Sequence, residues 1–331
     1  MSSTLERWLM ARWFGPVAPN TLLRAVAAVY GGVMRARRAL YRWGFFAQHG
    51  LEVPVIVVGN RTVGGAGKTP VVIALVEHLQ AQGIRVGVVT RGYGRKNRHA
   101  VRVSQQTSAD DVGDEPLLIH RSTGVAVEVD RDRVAAGRRL RASGCEVILA
   151  DDGLQHLRLA RSLEIEVRDS RGLGNGRVIP AGPLREPIPE PSGAERLVHG
   201  RTATASEVTV LFELRVARRL VDGVERPLAE FVGSPVHAVA GIGYPERFFE
   251  ALRALGLDVQ AHAFSDHHRF VAADLTPFSA APVLMTGKDA VKCGEFASAN
   301  VWEVPLCAQL PADFLARVSL HLQQPVRYVT P

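Results

Sequence analysis

The chain has 331 residues, is 47% hydrophobic and carries a net charge of +7, which is apolar material enough for two packed cores. Its three cysteines, Cys145, Cys293 and Cys307, show no C-x-x-C spacing. They give no basis for a disulfide framework or a zinc site and fit a reducing compartment. The first fifty residues hold seven arginines against Glu6 alone, so the rest of the chain is near neutral and offers no basic stripe for nucleic acid.

Residues 1–50 combine Trp8, Trp13 and Trp43, with Phe14, Tyr30, Tyr41, Phe45 and Phe46, and Arg7, Arg12, Arg24, Arg35, Arg37, Arg38 and Arg42. Arginines and amphipathic rings suit a membrane interface, with Arg35, Arg37 and Arg38 drawn to anionic lipid. The uncharged runs, Trp13 to Leu23 and Ala25 to Met34, are too short to span a bilayer, which needs about 18 apolar residues. Glu6 and Arg12 also interrupt any signal-peptide core. The alternative is a helix pair packed on the protein's own core through Leu22, Leu23, Val26, Val29, Tyr30, Val33 and Met34.

Val53 to Val58 reads as a buried strand running into a glycine-rich turn, T-V-G-G-A-G-K-T, and then a helix. Such a loop points backbone N–H groups at an anion, and the helix N-terminus adds its dipole. Thr62, Val63, Gly64, Gly65, Ala66, Gly67, Lys68 and Thr69 are therefore the expected ATP-binding stretch, with Lys68 on the β- and γ-phosphates and the Thr69 hydroxyl on Mg²⁺. Thr62 stands where the full pattern has its first glycine. Pro70 suits an early helical position.

Ile84 to Thr90 is a second strand, and Arg91-Gly92-Tyr93-Gly94 just beyond it belongs at the ligand-binding edge of an open parallel sheet. Gly113-Asp114-Glu115-Pro116 opens a helix, where acidic residues are also favoured by the dipole alone. Val147 to Ala150 is a strand ending in Asp151 and Asp152, a Walker B pattern whose carboxylates suit Mg²⁺. The spacing does not say which leads. Gln155 and His156 follow. After a strand at Glu164 to Asp169, Arg171 to Pro187 is dense in Gly, Pro and Arg and reads as a long structured loop. Gly193 to Ser206 is left unassigned.

Glu207 to Val232 reads as a two-stranded connector turning at Asp222-Gly223. Strands at Val236, Val259, Val283 and Val301 and a helix from Pro245 then make a second, smaller α/β domain. The organisation expected is a helical segment over 1–50, a P-loop domain over 51–206, a hairpin over 207–232 and a C-terminal domain over 233–331. The fold class is α/β, a P-loop NTPase-like α/β/α sandwich with that second domain attached.

The motifs V-G-N-R-T-V-G-G-A-G-K-T-P, R-G-Y-G, G-D-E-P, D-D-G-L-Q-H, R-G-L-G-N-G-R-V-I-P-A-G-P-L-R-E-P, F-S-D-H-H-R-F and T-G-K-D-A-V-K-C together resemble the tetraacyldisaccharide 4'-kinase family, the lipid A 4'-kinases of Gram-negative bacteria. The resemblance implies ATP- and Mg²⁺-dependent phosphorylation of the 4'-hydroxyl of a tetraacylated glucosamine disaccharide 1-phosphate, giving lipid IVA. It also implies a membrane-attached N-terminus, peripheral or monotopic at the cytoplasmic face of the inner membrane, and two α/β/α domains with the active site between them; no obligate protein partner is evident. Carried onto this chain, Asp114 and His267 resemble the catalytic base and its partner, beside Lys68. Thr69, Asp151 and Asp152 are the metal candidates, and Arg91, Tyr93, Gln155, His156, Arg171, Asn175 and Arg185 are candidates for substrate contact. Gly287 departs from the glutamate expected in T-E-K-D. A membrane-cycling ATPase switch of the MinD or ParA kind shares G-G-x-G-K-T, but it has a lysine where this chain has Val63 and carries its membrane helix at the other end. A GTP-dependent metallochaperone lacks its Cys/His cluster here.

Overall fold

The computed structural model describes residues 4–188, 193–278, 280–294 and 296–329; the first three residues of the N-terminal segment lie outside the described residues. Two helices open the chain, α1 (Thr4–Trp13) and α2 (Thr21–Arg42), the second capped by the Asn20 side chain on the Leu23 N–H. The first domain then runs β1 (Val55–Gly59), α3 (Lys68–Ala81), β2 (Val86–Thr90), β3 (Val101–Arg102), α4 (Ala109–Val112), α5 (Asp114–Thr123), β4 (Ala126–Val129), α6 (Arg133–Ala142), β5 (Val147–Asp151), β6 (Leu163–Arg168), β7 (Glu195–Val198) and β8 (Val208–Thr209). These strands form one eight-stranded sheet in the order β3-β4-β2-β5-β1-β6-β7-β8, parallel throughout except at β3. β1 lies between β5 and β6, so the P-loop and the Asp151-Asp152 strand end side by side.

The β1 text is apolar without alternation because both its faces are covered. Ile56 and Val58 pack with α3 and α5, whereas Val55 and Val57 pack with Val134, Ala136 and Leu140 of α6. Helices on both faces of a parallel sheet make the expected α/β/α sandwich.

The chain from 211 onward, which holds the second domain, contributes β9 (Leu211–Glu213), β10 (Val216–Arg219), β11 (Glu225–Pro227), β12 (Pro235–Ala240), α7 (Pro245–Ala254), β13 (Asp258–Ala263), α8 (Ala272–Leu275), β14 (Val283–Thr286), α9 (Gly287–Ala290), β15 (Val301–Val304), β16 (Cys307–Gln309) and α10 (Ala312–Gln323). The second domain's six-stranded sheet runs β11-β10-β15-β14-β12-β13.

Three boundaries differ from those expected. The β10–β11 hairpin is not a free connector, because β10 also pairs with β15 and closes the edge of the second sheet. The two-stranded element joining the domains is instead β9 with β16, where the outgoing and returning chains pair antiparallel. Residues 208–209, assigned to the connector, are the last strand of the first sheet, and β7 sits in the segment left unassigned. Finally, α10 does not belong with the second domain's core. Phe314 and Val318 are buried among Val71, Leu75 and Leu79 of α3, in the first domain.

The N-terminal helices lie against the first domain with a divided surface. Trp13 is buried and donates its indole N–H to Pro180 O at 2.9 Å, and the Tyr30 hydroxyl donates to Arg185 O at 2.7 Å. Arg37 and Arg38, expected to reach lipid, turn inward instead: Arg37 donates to Gln155 O and Arg38 pairs with Glu186 at 2.9 Å. Leu22, Val26, Val29 and Val33 face outward, as do Trp43, Phe45 and Phe46. The core-packing alternative fails for these four, which an internal helix pair would bury. Among the described residues no helix is long and apolar enough to cross a membrane.

Because α10 completes the first core, Phe314→Ala should destabilise that domain by about 3–5 kcal/mol. Urea unfolding followed by a first-domain probe should show the loss. A shift confined to the transition that responds to Leu252→Ala, in the second core, would assign α10 to the wrong domain.

Candidate active site

Most of the sequence-expected residues converge on one cavity of about 1870 Å³ between the two domains and the N-terminal helices, whereas Thr62, Asp151, Arg171 and Asn175 do not line it. Its polar floor is the loop from Val63 to Gly67 with Lys68 and Thr69. Asn60 builds this loop from beneath: its amide donates to Thr62 O at 2.8 Å and Gly64 O at 3.2 Å, and its Oδ1 accepts from Lys68 Nζ at 3.1 Å. Gly67 has φ +77°, and a Cβ there would lie 2.4 Å from the Phe212 ring, so only glycine fits. Thr62 is buried and pairs with Leu184 rather than lining the cavity. The glycine missing at that position is unnecessary because the turn is braced by the 177–187 loop, with Val63 N donating to Pro183 O at 2.8 Å.

The two aspartates after β5 differ in surroundings. Asp152, at φ +48°, pairs with Arg185 at 2.7 Å and Lys68 at 3.5 Å. Asp151 is fully buried, and among the described residues neither carboxylate oxygen has a hydrogen-bond partner. Burial first, then the neighbouring Glu115 charge, pushes its carboxyl up to about 7. A buried carboxylate without a partner is costly, and a cation relieves that cost. The donor set of hard oxygens at Asp151, Asp152 and Thr69 fits Mg²⁺.

Asp114 opens α5, and its Oδ2 lies 3.0 Å from His267 Nδ1 and 3.5 Å from Lys292 Nζ. The pairing crosses the domain boundary. Burial raises the Asp114 carboxyl, but the His267 hydrogen bond and then the Lys292 and Lys288 charges bring it net below its ordinary value. The same hydrogen bond, against burial, holds the His267 imidazole above its ordinary value of 6.5. His267 sits at φ +55°, a conformation held by its N–H to Gly241 O. Such backbone strain in a bulky residue points to function. The T-G-K-D motif is the frame: Thr286 caps α9, Asp289 accepts from Gly241 N at 2.9 Å, and Lys292 bridges Asp289 and Asp114.

Other candidates divide. Arg91, Tyr93, Gln155, His156 and Arg185 line the cavity. Tyr93 is exposed, with its ring 5.8 Å from that of His267. His156 is neutral, driven down to about 4 by burial and then by Arg133. Gln155 spends its amide on Asn60 O and Glu186. Asn175 is turned away to hold the loop, donating to Arg12 O and Ala181 O. Arg171 bridges rather than lines: it pairs with Asp169, donates to Gly65 O at 3.2 Å and reaches the Tyr244 hydroxyl.

Sequence reasoning missed the half-buried Glu115–Lys288 ion pair, which spans the domains beside Asp151. It also missed Arg133, which donates to Asp151 O and Asp152 O, and His199, 3.2 Å from Ala66 O. Glu115 and Lys288 do fall inside quoted motifs, so the signal was adjacency to Asp114 and Asp289. At Gly287, a Cβ would stand 3.0 Å from Glu303 Oε1 and 3.1 Å from Leu118; Glu303 holds a carboxylate beside the place where the family's glutamate is expected. Away from this floor the cavity changes character. One arm is walled by Leu5, Leu9, Met10, Trp13, Tyr30 and Met34 of α1 and α2, and another by Ile73, Leu118, Phe212, Leu214 and Leu306.

Comparison with known proteins agrees. The family model described as Tetraacyldisaccharide-1-P 4'-kinase matches residues 19–323. The tetraacyldisaccharide 4'-kinase of Stenotrophomonas maltophilia (strain R551-3) is 49% identical over 91% of this chain and 93% of its own length. That of Xanthomonas axonopodis pv. citri (strain 306) is 50% identical over 91% and 92%. The fold is similar to a crystal structure of LpxK from Aquifex aeolicus in complex with ATP, with a TM-score of 0.78 and 30% identity, covering 90% of this chain and 98% of that one. The chain therefore belongs to the tetraacyldisaccharide-1-phosphate 4'-kinase family.

Proposed function

We infer that this chain is a lipid A 4'-kinase. It transfers the γ-phosphoryl group of ATP to the 4'-hydroxyl of a tetraacylated glucosamine disaccharide 1-phosphate, working peripherally at the cytoplasmic face of the inner membrane. The observation that carries the reading is a single cavity holding a P-loop, a carboxylate–imidazole pair and an apolar arm made by helices whose outer face is also apolar. A membrane-cycling ATPase switch would have no use for that arm.

In this reading Lys68 and the loop amides hold the β- and γ-phosphates, and the arm walled by Ile73, Leu118 and Phe212 takes the base. Asp151 with Thr69 would hold Mg²⁺, Asp152 standing behind them with Lys68 and Arg185; the ion, when bound, neutralises charge on the phosphate oxygens. The sugar oxygen forms its bond to the γ-phosphorus as the bond to the ADP oxygen breaks. The hydroxyl proton passes to Asp114, which His267 and Lys292 aim. The acyl chains lie along α1 and α2, continuous with the bilayer, and Arg91 and Tyr93 stand at the sugar end.

The direct test incubates the protein with ATP and the disaccharide 1-phosphate in detergent and follows the bisphosphorylated product by mass. Lys68→Ala or Thr69→Ala should lower turnover roughly 100-fold or more with the fold intact. A Lys68→Ala protein near the parent rate would remove the nucleotide assignment.

Asp114 and His267 should act as a unit. Asp114→Ala, His267→Ala and the double variant are expected at similar low turnover with nucleotide binding retained; multiplicative losses would make them independent. The unit also sets a pH dependence. Below the raised imidazole pKa the protonated ring donates to Asp114 and weakens it as a base, so kcat should climb with pH through a range above 6.5 and then level. His267→Asn should abolish that limb, and its persistence would assign it to another group.

A further inference from the structure

A second concavity lies on the far side of α2, outside the cleft. It encloses about 320 Å³ between α2 and the 176–188 loop, and three guanidinium groups line it, those of Arg24, Arg35 and Arg177. Among the described residues none of the three side chains has a hydrogen bond or ion pair. The neighbouring arginines are all engaged, Arg37 with Gln155 O, Arg38 with Glu186 and Arg185 with Asp152. Arg35, exposed like Arg24 and Arg177, lies back along its own helix, with Nη1 3.7 Å from where a Cβ of Gly31 would stand. Gly31 leaves the space into which it folds. The remaining wall is apolar, from Val178, Leu184 and Pro187.

The helix geometry fixes the depth of this groove relative to a bilayer. At about 100° per residue, Leu22, Val26, Val29 and Val33 fall on one line, and Arg24, Ala28, Gly31 and Arg35 fall about half a turn away. An interfacial helix sinks roughly 5–10 Å into the boundary, and its diameter is about 10–12 Å. With the apolar line down, Arg24 and Arg35 stand at the level of the lipid phosphates, and Arg177 lines the same groove from the loop.

We propose that this groove is a binding site for the phosphate of an anionic membrane phospholipid, separate from the catalytic cavity. The proposal rests on the membrane-surface reading above and sharpens it: attraction is concentrated in one site instead of spread over the seven N-terminal arginines. Arginine forks suit phosphate oxygens, and the apolar wall takes the glycerol backbone. A lipid held there would fix the height and rotation of α2, whose other flank walls the substrate arm through Tyr30, Met34 and Arg37.

Dihexanoyl phosphatidylglycerol, kept below its micelle concentration, tests the site without a membrane, by titration calorimetry on the full-length protein. One saturable site is expected. Arg24→Gln/Arg35→Gln should weaken it about tenfold or more, and Arg177→Gln, on the loop, should weaken it too. Arg7→Gln/Arg42→Gln, which removes the same charge from exposed positions outside the groove, should leave it within about twofold. Diffuse attraction would instead give about fivefold per charge wherever the charge sits. Ala28→Phe fills the groove and keeps every charge, and should abolish binding. Equal losses in the two double variants, or an Ala28→Phe protein that still binds, would overturn the proposal. Binding of inorganic phosphate as tightly as the lipid would overturn the lipid assignment. Vesicles separate this from the broader reading: full-length protein that ignores phosphatidylcholine vesicles both with and without phosphatidylglycerol defeats the membrane reading itself, whereas vesicle binding without the saturable soluble-lipid site defeats only the groove.

Discussion

A buried carboxylate with no hydrogen-bond partner among the described residues sets the terms for the rest of the cleft. Asp151 is enclosed at the end of β5, and burial is the leading reason its carboxyl is held up near 7. An ionised group in such a place must be compensated. Cationic side chains accordingly gather round it from separate elements: Lys68 from α3, Arg133 from α6 and Lys288 from α9, where Lys288 is itself balanced by Glu115. None of these hydrogen-bonds the Asp151 oxygens. In the reading proposed above, that unmet need is what a divalent cation would supply, and the surrounding charges would act on phosphate.

The second consequence is that the site is complete only when the domains meet. Asp114 belongs to the first domain, and His267, Lys288 and Lys292 to the second. The chain crosses between them along β9 and β16, which pair with each other, β16 packing on α3, the helix carrying Lys68. Arg171 adds a further tie, from the P-loop carbonyl of Gly65 to Tyr244 at the head of α7. On the side of the N-terminal helices, Glu186 joins Arg38 of α2 to Arg61 and Gln155 at the base of the P-loop. Helix α2 and the phosphate loop thus share one ionic network.

Much of this was legible where the chemistry is local. The strand, turn and helix around Gly67 follow from apolar text, glycine spacing and the K-T pair, all within one stretch of chain. The loop from Arg171 to Pro187 was recognisable from its composition, though not that Asn175 and Arg171 serve to hold it. What escaped depended on distant partners. The β10–β11 hairpin looks the same in sequence whether free or paired, and only β15 makes it a sheet edge. Helix α10 shows an ordinary amphipathic pattern that does not say which domain it covers. Arg35, Arg37 and Arg38 are chemically identical, and a helical rotation decides that two turn to the protein and one to the groove. Glu115 and Lys288 meet across 173 residues of sequence.

The central claim is that Asp151 is built for a cation and nucleotide rather than for the metal-free fold. Thermal melting of Asp151→Asn, with and without Mg²⁺ and ATP at mildly alkaline pH, tests it most directly, since the amide keeps the shape and removes the buried charge. The metal-free variant should melt at or above the temperature of the parent protein, and the stabilisation that Mg²⁺ with ATP gives the parent should be largely lost. A variant that melts well below the parent without ligand, yet keeps the full Mg²⁺ and ATP shift, would contradict the account.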